Sequence, residues 1–184
     1  MPRGSILFPS SFEDFGNVEA VKKALLRLEQ KSFLRRLAHG IYLYPKKDKL
    51  LGELSPSIEE IAKAIAKRDK AKIIPTGIMA LNRLGLSTQV PMKTVFLTNG
   101  APRSITVGRR TIKFKRTTPK VLAVKGEITS LIIQALKEIG KNNVTDDQLE
   151  KIKSYLRLEK REIVEHDAKL APAWIAKIIQ TILT

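Results

Sequence analysis

The chain has no cysteine, only two histidines, and no apolar run near the length of a bilayer. Without cysteine there is neither a disulfide nor a thiolate zinc site. A membrane-spanning helix needs roughly 20 consecutive apolar residues, and no stretch approaches that. The opening Met1-Pro2-Arg3-Gly4-Ser5-Ile6-Leu7-Phe8-Pro9 is too short in apolar residues for a secretory signal and has no small-residue cleavage site. A soluble, cytoplasmic protein is expected. Acidic side chains are also scarce, 18 Asp and Glu against 34 Lys and Arg, a formal net charge of +16. Apolar residues are plentiful, 43% of 184, enough for a packed core in one medium domain or two small ones.

The charge is unevenly spread. Residues 1–50 carry ten basic and five acidic side chains, residues 51–125 fifteen and four, and residues 126–184 nine of each. A uniform solubilising coat would not leave the last third neutral. Neutralising phosphates requires such an excess, and any polyanionic partner could use it.

Signatures of catalysis are missing. Neither the phosphate-binding G-x-x-x-x-G-K-[ST] pattern nor a dinucleotide-binding glycine pattern occurs, and no nucleophile-elbow spacing supports a Ser-His-Asp arrangement. His39 and His166 fall in different expected domains. Glu165-His166-Asp167 cannot all face one site on a helix, so a solvated surface is expected rather than a metal site. No enzymatic activity, metal or cofactor is anticipated.

Along the chain, Pro9-Ser10-Ser11 opens a short helix, capped by Ser10 or Ser11, with Phe12 and Phe15 pointing inward. Gly16-Asn17 breaks it. A second helix runs from about Val18 to Gln30, with Val21, Ala24, Leu25 and Leu28 as its apolar stripe. Two helices around a short Gly-containing turn form the helix-turn-helix pattern. Strands at 33–37 and 41–45 around Ala38-His39-Gly40 then predict a hairpin, the wing of a winged helix. Residues 47–56 read as a linker. Ser57-Ile58-Glu59-Glu60 is a capping box opening a helix to about Asp69. A short strand at 72–75 follows, then a helix capped by Thr76 and ended by Gly85, and a strand at 94–98 with a hairpin turn at Asn99-Gly100. A further hairpin is expected from 103–107 and 110–116 around Gly108. Helices at about 127–139, 145–158 and 160–167 and a terminal helix from Pro172 complete the chain.

In a helix-turn-helix the second helix enters the major groove and its N-terminal part reaches base edges. That helix supplies Asn17, Lys22, Lys23 and Arg27. Asn suits adenine and Lys suits guanine, whereas Glu19 reads as solvated. The wing supplies Arg35, Arg36, His39 and Lys46 as contacts to the phosphate backbone. Residues 101–125 hold eight basic side chains and no acid. Arg103, Arg109, Arg110, Lys113, Lys115 and Arg116 form its expected patch, which could lengthen a DNA footprint or bind RNA.

Ala20-Val21-Lys22-Lys23-Ala24-Leu25-Leu26-Arg27-Leu28 followed by Phe33-Leu34-Arg35-Arg36-Leu37-Ala38-His39-Gly40-Ile41-Tyr42 resembles the winged helix of AbiEi-type antitoxins. Thr76-Gly77-Ile78-Met79-Ala80-Leu81-Asn82-Arg83-Leu84-Gly85-Leu86 and Val95-Phe96-Leu97-Thr98 resemble their second domain. The resemblance implies a bacterial transcriptional repressor that binds inverted repeats upstream of its own operon. It implies the antitoxin of a type IV, abortive-infection toxin–antitoxin pair. The partner would be a nucleotidyltransferase-like toxin, countered without a stable complex. It puts the recognition helix on 17–30 and the wing on 33–44. The family has a further helix ahead of these, whose end would coincide with Met1-Pro2-Arg3-Gly4. The expected architecture is thus α+β: a winged helix-turn-helix DNA-binding domain at 1–48, and a basic mixed α/β antitoxin-like domain at 55–184 with a helical C-terminal part. The expected function is sequence-specific binding of double-stranded DNA. An RNA-binding or ribosome-associated module is the alternative, and a catalytic antagonist of the toxin is neither supported nor excluded.

Overall fold

The computed structural model describes residues 1–89 and 91–184. It is a mixed α+β chain that divides into two compact units, Met1–Ile65 with Ile105–Arg110 and Ala66–Ser104 with Thr111–Thr184. The division falls inside a helix, not in the linker expected at 47–56. Among the described residues no helix is long and apolar enough to cross a membrane.

The first unit begins with strand β1 (Ile6–Leu7), a 3-10 segment (Pro9–Phe15) and helix α1 (Val18–Gln30). Pro9 at the first helical position leaves Phe8 as the cap residue, in place of the expected Ser10 or Ser11. The Ser11 hydroxyl instead accepts from the Phe8 N–H at 3.3 Å. Phe12 packs on the core of Leu7, Val21, Leu25, Leu34 and Tyr42. Phe15, expected inside, is 84% exposed. Only Val21 and Leu25 of the α1 stripe are buried, while Ala24 and Leu28 remain exposed.

Strands β2 (Arg35–Ala38) and β3 (Ile41–Leu43) form the anticipated hairpin, two residues shorter at its start. Gly40 takes a positive φ of 68° in the turn, a conformation that suits glycine. β1 adds to the other edge of β3, giving the order β1-β3-β2. The segment expected as a linker is a second antiparallel hairpin, β4 (Lys46–Asp48) with β5 (Gly52–Leu54). Its turn closes because the Asp48 carboxylate accepts from the N–H groups of Leu50 and Leu51, at 2.8 and 3.0 Å. Local side-chain bonding of this kind makes Asp a turn former. Helix α2 (Ile58–Arg68) opens on the anticipated box, Ser57 N–H donating to Glu60 at 2.7 Å and Glu60 N–H to the Ser57 hydroxyl at 3.1 Å.

The second unit holds β6 (Ile73–Pro75), α3 (Ile78–Arg83), β7 (Lys93–Thr98), the first two residues of β8 (Arg103–Val107) and all but the first residue of β9 (Arg110–Arg116). The sheet order is β6-β7-β9-β8. β7 pairs antiparallel with β6 and parallel with β9. Asn99-Gly100 therefore makes no tight hairpin, because β7 and β8 are not neighbours. The Asn99 side chain instead accepts from Lys72 N–H at 2.8 Å. Gly77, not Thr76, caps α3, and the Thr76 hydroxyl donates to the Val95 carbonyl at 3.2 Å.

A short helix α4 (Pro119–Leu122), which no periodicity announced, precedes α5 (Glu127–Ile139), α6 (Asp146–Leu156), α7 (Arg161–Ala168) and α8 (Ala173–Leu183). The last four start where expected, α6 through the Thr145–Gln148 box and α5 ending at Gly140. Ile132, Leu136, Ile152, Val164, Ile175 and Ile179 are fully enclosed in their core. Asp167, expected on a solvated surface, is wholly buried. Its carboxylate accepts from Lys125 N–H at 2.9 Å and Gly126 N–H at 2.7 Å, and the His166 ring nitrogen lies 2.7 Å from it. Glu159 accepts from Ile128 N–H and Thr129 N–H, both at 2.9 Å, and from the Thr129 hydroxyl. Glu159 thus takes two of the donors that the start of α5 would leave orphaned and Asp167 takes those of the two residues before it, both carboxylates at the positive dipole end of the helix.

Candidate nucleic-acid interface

In α1 the turns of the helix sort the side chains by direction. Val21 and Leu25 point into the core, while Lys22, Lys23 and Arg27 stay exposed. Lys22 pairs with Glu19 one turn back at 2.8 Å. Both partners are largely exposed, so the pair is worth at most about 1 kcal/mol and yields readily to a competing phosphate. Arg27 donates to the Lys23 carbonyl at a long 3.4 Å. Asn17 is the helix cap, its side-chain oxygen accepting from Ala20 N–H at 2.7 Å. The oxygen of a bidentate adenine contact is therefore already occupied, leaving the amide nitrogen as the free half.

The hairpin residues differ in freedom. Arg35 is held by Glu53 at 2.8 Å and by the Ser55 hydroxyl at 2.9 Å. That tie joins the first hairpin to β5 and orients the guanidinium. Arg36, on the opposite face of β2, is exposed and meets the His39 ring at 3.1 Å. Lys46 begins β4 and is exposed opposite Leu54. Beyond it the β4–β5 hairpin presents Lys47 and Lys49, with Leu50 94% exposed at its tip.

The basic stretch 101–125 does not form one patch. Arg103 turns into its own unit, paired with Asp69 and stacked over the Phe114 ring at 5.5 Å. Burial, and then the neighbouring Arg68 charge, lower its pKa. Arg109 and Arg110, at the tip of the β8–β9 hairpin, belong to the first unit. There Arg110 lines a cleft of about 310 Å³ together with Arg35, Arg36 and Ser55. Arg35, Arg36 and Arg110 all border this cleft, and Glu53 orients the Arg35 guanidinium, a group whose donors match phosphate oxygens. This grouping links residues 75 apart in sequence and could not be read from spacing.

On β9 the strand period separates the rest. Ile112 and Phe114 face the core, and Phe114 lies 6.0 Å from the Phe96 ring across the parallel pair. Lys113 and Lys115 project to the other face, beside Val95 and Leu97 of β7. Arg116 ends the strand in an exposed position. Lys93 and Lys137, which no motif singled out, join Lys115 around a separate cavity in the second unit. Among the described residues no group of three His, Asp or Glu side chains could hold a metal ion.

The chain belongs to DUF6088, a family of unknown function whose model matches residues 1–164. No curated protein matches it.

Proposed function

We propose that the chain is a sequence-specific double-stranded DNA-binding regulator, with α1 as its reading helix and the β2–β3 hairpin as its wing. The observation that carries this is the outer face of α1. Lys22, Lys23 and Arg27 are exposed on it, and the same compact unit holds the Arg35, Arg36 and Arg110 cleft. A cationic helix face would supply base-edge contacts, and guanidiniums at a nearby cleft would fix register on the phosphates. The 3-10 segment Pro9–Phe15 would serve as the first helix of the motif, and Gly16-Asn17 as its turn.

The target of this reading is the chain's own promoter, where binding represses transcription. The resemblance to AbiEi-type antitoxins extends the proposal to neutralising a nucleotidyltransferase-like toxin, and co-expression with a toxin of that class tests that part separately. The primary experiment is fluorescence anisotropy with the upstream operon DNA against random duplex and RNA of equal length. A specific reader prefers its operator by about a thousandfold or more. Equal affinity for every polyanion overturns the proposal, and preference for the RNA moves the function to an RNA-binding or ribosome-associated module.

A further inference from the structure

The cavity of the second unit, about 410 Å³, falls in the usual range for small-molecule sites. Its charge comes from three separate elements. Lys93 starts β7, Lys115 lies on β9, and Lys137 lies in the last turn of α5. The parallel register sets Lys115 beside Leu97 and Lys93 beside Thr111, so both β-strand lysines share one sheet face. None of the three forms an ion pair among the described residues. Partial burial lowers the Lys137 pKa. The wall also holds Gln134, 5% exposed, whose amide can both donate and accept. Glu138 is the one acid lining the cavity, and its carboxylate rests where a side chain on Gly77 would be.

Three ammonium groups against one carboxylate leave two positive charges in a small concavity. A phosphate monoester carries about −1.5 to −2 near neutral pH and three strong acceptors. Lysine binds such a group as a point charge without demanding fixed geometry. Ile78, Met79, Val95 and Leu97 provide an apolar wall for an organic portion. We infer that this cavity binds a small phosphorylated compound no larger than a mononucleotide, held by Lys93, Lys115 and Lys137 with Gln134 as the neutral polar contact. The site is independent of the DNA reading, which uses the first unit. A polynucleotide would need an open track past Glu138 and is the competing outcome.

The test is an NMR titration of the ¹⁵N-labelled full chain with pyrophosphate, AMP, adenosine and a short single-stranded RNA. Saturable shifts of amides at 76–79, 115 and 134–138 with pyrophosphate or AMP, and none with adenosine, are expected. Lys115→Gln and Lys137→Gln each weaken that binding about tenfold or more, and Glu138→Gln tightens it. All three positions are exposed, so the variants keep the wild-type spectrum elsewhere. The inference is overturned if neither phosphate probe saturates at millimolar concentration, if the lysine variants bind as well as wild type, or if only the RNA shifts these amides.

Discussion

Asp167→Ala removes a carboxylate that holds the N-terminus of α5 from inside the helical core. In the native chain this group is fully buried and accepts from Gly126 N–H at 2.7 Å and Lys125 N–H at 2.9 Å. A hydrogen bond to a charged group contributes about 1.5–3 kcal/mol, and a buried donor left without a partner costs about 1–3 kcal/mol. The Gly126 donor is buried and the Lys125 donor partly so, so the second can recover a water while the first cannot. Loss of the favourable charge at the helix start adds about 0.3–1 kcal/mol. Together these give a destabilisation of about 3–7 kcal/mol, a large part of the 5–15 kcal/mol available to a whole domain. Asp167→Asn keeps the shape and one acceptor oxygen but turns an N–H₂ toward the other donor, and should lose about half as much. Urea unfolding followed by circular dichroism measures both differences at constant slope. A loss under about 1 kcal/mol for Asp167→Ala would refute the reasoning, because it would mean that water replaces the carboxylate without cost.

Gly126→Ala sets a Cβ against the Glu159 carboxylate, which must then leave Ile128 and Thr129. A loss of about 1–3 kcal/mol in the same unfolding assay is expected. The Glu60 carboxyl is held below the usual range, first by the Ser57 N–H and then by the Ser57 hydroxyl. A depressed folded value gives stability that is present above the ordinary glutamate pKa and lost as pH falls through the folded one. Glu60→Ala should therefore lower the thermal midpoint at neutral pH, and the difference from wild type should vanish in acid. Phe15→Ser changes stability by less than about 0.5 kcal/mol, since the ring is 84% exposed; a larger loss would place the ring in the core. If DNA binds the first unit, Arg36→Ala with Arg110→Ala lowers the salt slope of binding by about two, one per phosphate contact removed.

Helix positions were legible because capping chemistry is local. Ser57 with Glu60 fixes one start within four residues, Thr145 caps another, and Gly140 marks an end. What escaped depended on partners distant in sequence. The hairpin at 46–54 was hidden because its strands are polar and exposed on both faces, so no alternation betrays them. Asp167 looked solvated because its neighbours are Glu165 and His166. Its burial follows from the loop 125–126, more than 40 residues upstream. The parallel pairing of β7 with β9 likewise overrode the local turn signal of Asn99-Gly100. The basic residues were easy to find, but not to group. Sequence clustering joined Arg103 to Arg116, whereas the fold sends Arg103 to Asp69, Arg110 to the Arg35–Arg36 cleft, and Lys115 to a cavity with Lys93 and Lys137.

The central claim is that α1 reads the DNA. Its most direct test is the operator-to-random affinity ratio of Lys22→Ala with Lys23→Ala, measured across a salt series beside Arg109→Ala with Arg110→Ala. The α1 variant should lose most of its preference for the operator at every salt concentration. The hairpin-tip variant should weaken binding to both duplexes alike while keeping the ratio. An α1 variant that retains the wild-type ratio would contradict the claim, because specificity would then reside elsewhere on the chain.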